Sequence, residues 1–306
     1  MQYDVYHDES KEAGYWHGIL FVPRSTRQVI LAHLATVRLE TDFNFPLSLK
    51  EVKSCGNRFQ CSRAVVQLAV NAMMQDTKGK VEKVLVSSRT GDPQQKRQAT
   101  AFREIIRVDQ ALGLKLIVFR ERDGHKLLAP ILDYGAKVET TFRMGFKGGL
   151  HLLFDEDHPI TVSSIHFDGH EHHRRHIDKN RIIGKLKPGL RPYCQIPDGV
   201  LVDDRHGVER QADAQGYDDF QFLQIADLLI GSFRTVLGEK KRSIQAEVAS
   251  PAAEVVKKWK AGPARMKNSR WHRAFCISEC YLENGQWQFA PLPANDDANQ
   301  AELPLS

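Results

Sequence analysis

The sequence predicts an α/β or α+β protein built on a central mixed sheet flanked by helices. Three observations predict it. Short runs rich in β-branched and aromatic residues alternate along the chain with stretches of helical apolar spacing. Residues 3–8 and 15–22 are apolar runs separated by a polar turn, which reads as an N-terminal hairpin. Asn284-Gly285 joins two further runs, 276–282 and 286–289, and that dipeptide is the strongest short hairpin signal.

The elements follow in order. After Pro23, Ser25 or Thr26 caps a helix with Val29, Ile30, Leu34 and Val37 at helical spacing. Residues 47–53 follow a loop containing Pro46, and a helix covers 62–74. Residues 81–87 and 114–119 read as strands, with a helix over 94–112 between them and a helical pattern over 127–146 after them. Residues 160–168 are a strong strand, because Ile160, Thr161, Val162 and Ile165 are β-branched. A basic helix is expected over 171–186, an extended segment over 193–202, an apolar helix over 220–237 and a second basic helix over 244–260.

Composition sets the bounds. The chain has 306 residues, 42% hydrophobic and 26% charged, with a formal charge of +5. That is ordinary for a globular chain and permissive of a nucleic-acid partner. The charged start Met1-Gln2-Tyr3-Asp4 does not read as a signal peptide, and no apolar run reaches the length of a membrane span. With five cysteines, an odd number, reduced thiols in a cytoplasmic setting are expected. Cys55/Cys61 and Cys276/Cys280 lack zinc-knuckle spacing.

Four acids carry the chemistry. Asp227 lies within Leu223-Gln224-Ile225-Ala226-Asp227-Leu228-Leu229, the most apolar helix of the chain. A carboxylate there costs several kcal/mol or more unless it is paired, hydrogen-bonded or metal-bound. Gln224 stands one turn earlier, as a candidate to orient it, and Gly231 one turn later, where a missing side chain suggests open space. Asp8 closes the first strand on the face of Asp4 and Tyr6; Asp168 closes the strong strand on the face of His166. Each is also a candidate turn or helix cap. Glu51, in Glu51-Val52-Lys53, is weaker alone, and a surface ion pair with Lys50 or Lys53 competes. A buried pair with Arg or Lys competes for Asp227. Four acids from distant segments could hold one or two hard divalent cations, Mg²⁺ or Mn²⁺, and so clamp the attacking and leaving oxygens of a phosphodiester.

Two other patterns bear on function. Asp168-Gly169-His170-Glu171-His172-His173-Arg174-Arg175-His176 places His172 and His176 one turn apart, as in a zinc pair, but a third ligand at convincing spacing is missing. His166 and His170 are candidates for proton transfer beside the cations. Arg174, Arg175 and Lys179 follow Asp168, and Lys240, Lys241 and Arg242 follow the Asp227 helix. Such flanking cations suit phosphate contacts, with Trp259 and Trp271 either stacking on bases or filling the core.

Asp8-Glu9-Ser10 after a short strand, Glu51-Val52-Lys53, Ile165-His166-Phe167-Asp168 and Leu223-Gln224-Ile225-Ala226-Asp227-Leu228-Leu229 together resemble domain-of-unknown-function family 3800, a bacterial and phage family. The resemblance implies a ribonuclease-H-like domain over 1–237 with a helical insertion at about 90–155. A basic helical and hairpin extension over 238–290 and a disordered acidic tail over 291–306 follow. It further implies a divalent-metal site on Asp8, Glu51, Asp168 and Asp227, nuclease activity on RNA or DNA, and a setting in phage defence or mobile elements. The chain departs from the family at Lys11, where a glycine usually follows Asp-Glu-Ser. That departure motivates the alternative, a catalytically inactive nucleic-acid- or partner-binding module of the same fold.

Overall fold

The computed structural model describes residues 1–11, 14–74, 112–122, 134–154, 156–169, 178–188, 190, 192–238, 242–260 and 274–292. Its strands are β1 (Gln2–Ser10), β2 (Tyr15–Pro23), β3 (Lys115–Glu121), β4 (Ile160–Phe167), β5 (Cys194–Gln195), β6 (Leu201–Asp203), β7 (Phe275–Glu283) and β8 (Gln286–Pro291). They form one mixed sheet in the order β5-β4-β1-β2-β3-β7-β8, with β6 also paired to β4. β2 runs antiparallel to both β1 and β3; β4 is parallel to β1, and β6 is parallel to β4.

Among the described residues the helices are α1 (Arg27–Thr41), α2 (Asn57–Met74), α3 (Tyr134–Leu153), α4 (Lys179–Leu186), α5 (Gly207–Arg210), α6 (Ala214–Val236) and α7 (Ser243–Lys260). A 3-10 turn covers Leu49–Glu51. None of these helices is long and apolar enough to cross a membrane.

Strand alternation divides the core in two. On one face Tyr6, Leu20, Leu116 and Val118 pack with α1, α2, α6 and α7. On the other, Tyr3, Val5, Ile19 and Phe119 pack with Phe142, Phe146 and Leu150 of α3 and Ile182 of α4. α2 is buried continuously from Phe59 to Met73, as a helix enclosed by other helices must be. Both faces of the sheet are covered, so the positions left for chemistry are the strand ends.

Both expected hairpins are present. β1 and β2 pair from Tyr3↔Pro23 to Ser10↔Trp16, and β7 and β8 close through Asn284 and Gly285, both at positive φ. Other boundaries differ. Thr26 does not cap α1: its hydroxyl donates to the carbonyl of Leu112 at 2.6 Å. The apolar helix starts six residues early, at Ala214, because Asp213 caps it by accepting from Gly216 N at 2.6 Å. Within 90–155 the described part holds α3 and also β3, a strand in the interior of the sheet. β8 runs through Pro291 and Leu292 is buried; residues 293–306 lie outside the described residues. The segments expected at 81–87 and 94–111 also lie outside them.

Candidate functional site

The parallel pairing of β1 with β4 sets the geometry. Tyr6 pairs with His166 and His7 with Phe167, and Asp168 N donates to His7 O at 3.1 Å. Asp8, which lies two residues inside the end of β1 rather than closing it, and Asp168, just past the end of β4, therefore lie side by side on neighbouring strands, about 5 Å apart at the backbone. α6 lies across this face and runs with β1: Asp219 meets Tyr6 low on the strand, and Asp227 comes level with Asp8.

The upper group is thus Asp8, Asp168 and Asp227. Burial pushes the Asp8 carboxyl well above its ordinary range, and the charges of Asp168 and Asp227 push it further, against a single backbone donor, Glu9 N at 2.7 Å. Asp227 is also raised, first by burial and then by Asp168; a hydrogen bond from Ser48 and the charges of Lys50 and Arg234 oppose the rise. Asp168 itself is exposed, so the group opens to solvent.

The 3-10 turn reaches this group because of Gly231. A Cβ there would meet Leu49 Cδ2 at 2.9 Å, so the position expected to be open space is instead where Leu49 packs onto α6. That contact brings Ser48 and Lys50 to Asp227. Glu51, in the same turn, is not brought into the group. Its carboxylate is 46% exposed and accepts from Arg58 Nη1 at 3.3 Å, the surface ion pair arising with an arginine rather than a lysine. Gln224 does not orient Asp227 directly. Its Oε1 accepts from Leu47 N at 2.7 Å and Arg38 Nη2 at 3.0 Å, while its amide donates to Phe220 O. It holds the loop that delivers Ser48.

A second cluster sits lower on the same face, and sequence reasoning missed it. Arg210 is fully buried, and its five N–H groups all find acceptors: Arg205 O at 2.9 Å, Asp203 Oδ2 at 3.0 Å, His166 Nδ1 at 3.3 Å, Phe167 O at 3.1 Å and Asp203 O at 3.0 Å. Arginine only donates, so His166 Nδ1 accepts, and Nε2 carries the proton to Ser164 Oγ at 2.8 Å. Ser164 in turn donates to Asp4 Oδ1 at 2.7 Å. Asp219 Oδ1 accepts from Tyr6 at 2.8 Å and from Arg27 Nη2 at 2.9 Å. Tyr6 stacks on the imidazole at 4.8 Å.

Burial lowers His166 to about 4, with Asp219 opposing and Arg210 assisting. Enclosed between Tyr6 and Arg210, the imidazole is held in its neutral form, which does not favour the proton-transfer role expected of it. One ligand atom each from His166, Asp203 and Asp219 lie within 4.8 Å of one another, a spacing compatible with a metal. Both carboxylates already hold arginines: Asp203 takes Arg205 and Arg210, and Asp219 takes Arg27. The cluster is an internally neutralised ion network, and a cation would have to displace those guanidiniums.

Of the expected phosphate contacts, Lys179 pairs with Asp204 at 2.9 Å and is 48% exposed. Arg242 is exposed, and its carbonyl accepts from the first turn of α7. His170, His172, His176, Arg174, Arg175, Lys240, Lys241 and Trp271 lie outside the described residues, as does the side chain of Trp259. Against known proteins, no family model, no curated protein and no solved structure matches the chain.

Proposed function

We propose that the protein is a metal-dependent phosphodiesterase acting on nucleic acid, RNA or DNA. The observation that carries the reading is that Asp8, Asp168 and Asp227 lie close enough near the end of the sheet for the charges of the other two to raise Asp8, although their carboxylate oxygens are not drawn within the 4.8 Å of one another found for His166, Asp203 and Asp219. Carboxylate oxygens of three acids are the donor set of a hard divalent cation, and binding one relieves their repulsion. Asp8, Asp168 and Asp227 would hold one or two Mg²⁺ or Mn²⁺ ions. When bound, such ions supply Lewis-acid stabilisation of the charge that develops on the phosphate.

The chain's own residues fix the acids. Ser48 orients the Asp227 carboxylate. Arg234 donates to Ser10 Oγ, tying the end of β1 to α6 and so holding Asp8 against Asp227. The hairpin-led mixed sheet, with one acid near the end of β1 and another just past the end of β4, supports the ribonuclease-H-like reading that the family resemblance implies. Five free thiols, four of them buried, support a cytoplasmic setting.

The test pairs calorimetric Mn²⁺ binding with cleavage of labelled single-stranded and duplex RNA and DNA. Asp8→Asn and Asp227→Asn should each abolish both. An Asp227→Asn protein that retains full Mn²⁺-dependent cleavage overturns the proposal. Salt-sensitive binding without cleavage in any divalent ion would leave the inactive binding module in its place.

A further inference from the structure

The loop between α1 and the 3-10 turn combines an exposed aromatic with an unusually constrained backbone. Phe45 is 67% exposed. Beneath it the buried Arg38 directs its guanidinium at backbone carbonyls, donating to Phe43 O at 3.2 Å and to Phe45 O at 3.0 Å. The same side chain is anchored on α6 by Gln221 Oε1 at 2.9 Å and Gln224 Oε1 at 3.0 Å. Leu47 N donates to that Gln224 oxygen, and Pro46 fixes φ between the clamped residues. A buried cation is costly, and here its donors hold still a surface loop whose apex side chain is mostly in water.

Scattered exposed apolar residues are normal, and Leu39 on the outer side of α1 is one. Phe45 differs in what surrounds it. Its ring stands edge-on to Phe43 at 5.7 Å, and the Arg58 guanidinium lies over Phe43 at 5.3 Å. Lys50 and Lys53 are exposed a few residues on, and the charge of Lys50 acts on Asp227. Phe45 stands three positions before Ser48, the residue bonded to Asp227, so its backbone lies within about 10 Å of Ser48. A fixed aromatic face with cations beside it complements a base and its phosphates, and a flat ring held in advance loses little entropy on stacking.

We infer that the 43–48 loop is a base-stacking subsite: Phe45 receives one base of an unpaired strand whose phosphates pass Lys50, Lys53 and Arg58. The substrate class is then single-stranded nucleic acid, because a base in a duplex offers no open face to an external ring. This rests on the phosphodiesterase reading for its place beside the acids, but its test reads binding rather than cleavage.

The experiment is fluorescence anisotropy of the full chain with a labelled 12-nucleotide strand, free and in a duplex, in Ca²⁺. Phe45→Ala should bind the single strand about tenfold more weakly and the duplex unchanged, with the salt slope preserved; Phe45→Trp should restore binding. An abasic site at one position of the strand should weaken the native protein by the same factor and add nothing to Phe45→Ala. Equal thermal melting of the variants excludes misfolding as the cause. Unchanged single-strand binding by Phe45→Ala overturns the inference, as does equal weakening on both substrates or an absence of binding by the native protein. If Asp227→Asn abolishes cleavage while Phe45→Ala binds normally, the acid site stands and the subsite falls. If Phe45 governs binding of a strand that is never cut, the subsite stands and hydrolysis falls.

Discussion

α6 presents two acids to the same face of the sheet, and they meet opposite surroundings. Asp219 enters a cluster in which Asp4, Asp203 and Asp219 are matched by Arg27, Arg205 and Arg210, with neutral His166 in the middle. Asp227, a little over two turns later, enters a group of three acids in which Asp8 feels Asp168 and Asp227 as like charges. The lower cluster has paired its acids inside the protein. In the upper group Asp8 carries the repulsion of its two acidic neighbours, Asp227 is partly offset by Ser48, Lys50 and Arg234, and Asp168 is exposed. A buried acid by itself therefore says little about catalysis; the sign of the charges around it separates a structural network from a cation site.

The largest expected difference is in stability. Arg210→Met leaves Asp203 buried with one of its two arginines removed and takes a donor from each of the Phe167 and Asp203 carbonyls, which should cost about 3–5 kcal/mol. Asp227→Asn removes a charge that burial and Asp168 oppose and that Ser48, Lys50 and Arg234 favour, so at pH 8 in chelator it should change stability far less. Urea unfolding of the two variants checks the contrast. A cost below about 1 kcal/mol for Arg210→Met would mean that the lower network is dispensable and the comparison fails.

The second difference is in the direction of pH dependence. His166 is lowered to about 4 in the folded state from 6.5, so between those values the unfolded chain binds the extra proton. Its contribution is complete above pH 6.5 and is lost as pH falls toward 4, by about 3 kcal/mol in all. Asp8 and Asp227 are raised, so the folded state keeps their protons longer. Their contribution is complete below the ordinary carboxylate range and is lost as pH rises through the raised values. In chelator, His166→Gln should flatten the acid limb of the melting profile and Asp8→Asn the limb above it. Mn²⁺ should restore the alkaline loss in the native protein and not in Asp8→Asn. A melting profile in which both variants flatten the same limb would show that the two regions are not electrostatically distinct.

Much of this was legible in the sequence for reasons that are local. Two-residue alternation put Asp8 with Tyr6 and Asp168 with His166, and an acid inside an apolar helix singled out Asp227. Asp219 carries no such signal, because the apolar pattern begins at Phe220 and the helix reaches back to Ala214 only through the Asp213 cap. Arg210 left no signal, since it lies on a four-residue helix and its partners come from β4, β6 and the loop before it. Gln224 and Gly231 were noticed for the right position and the wrong partner. Helical spacing shows which side chains share a face, but not that a distant loop and a 3-10 turn pack there and claim them.

Glu51 gives the smallest effect and the finest test of that boundary. Helical and strand periodicity do not apply in a three-residue turn, so its grouping with the other acids has no shared-face argument behind it. Its exposed pair with Arg58 predicts that Glu51→Gln changes stability by about 0.5 kcal/mol or less. With the carboxylate turned outward, Mn²⁺-dependent cleavage should fall less than tenfold, far short of the loss in Asp227→Asn. Cleavage kinetics of the two variants, measured across Mn²⁺ concentration, decide it. A loss in Glu51→Gln equal to that in Asp227→Asn, accompanied by weaker Mn²⁺ binding, would mean that the turn anchored by Leu49 on Gly231 swings Glu51 off Arg58 when the cation arrives. The upper group would then be completed by its ligand, and the contrast with the pre-neutralised lower network would be sharper still.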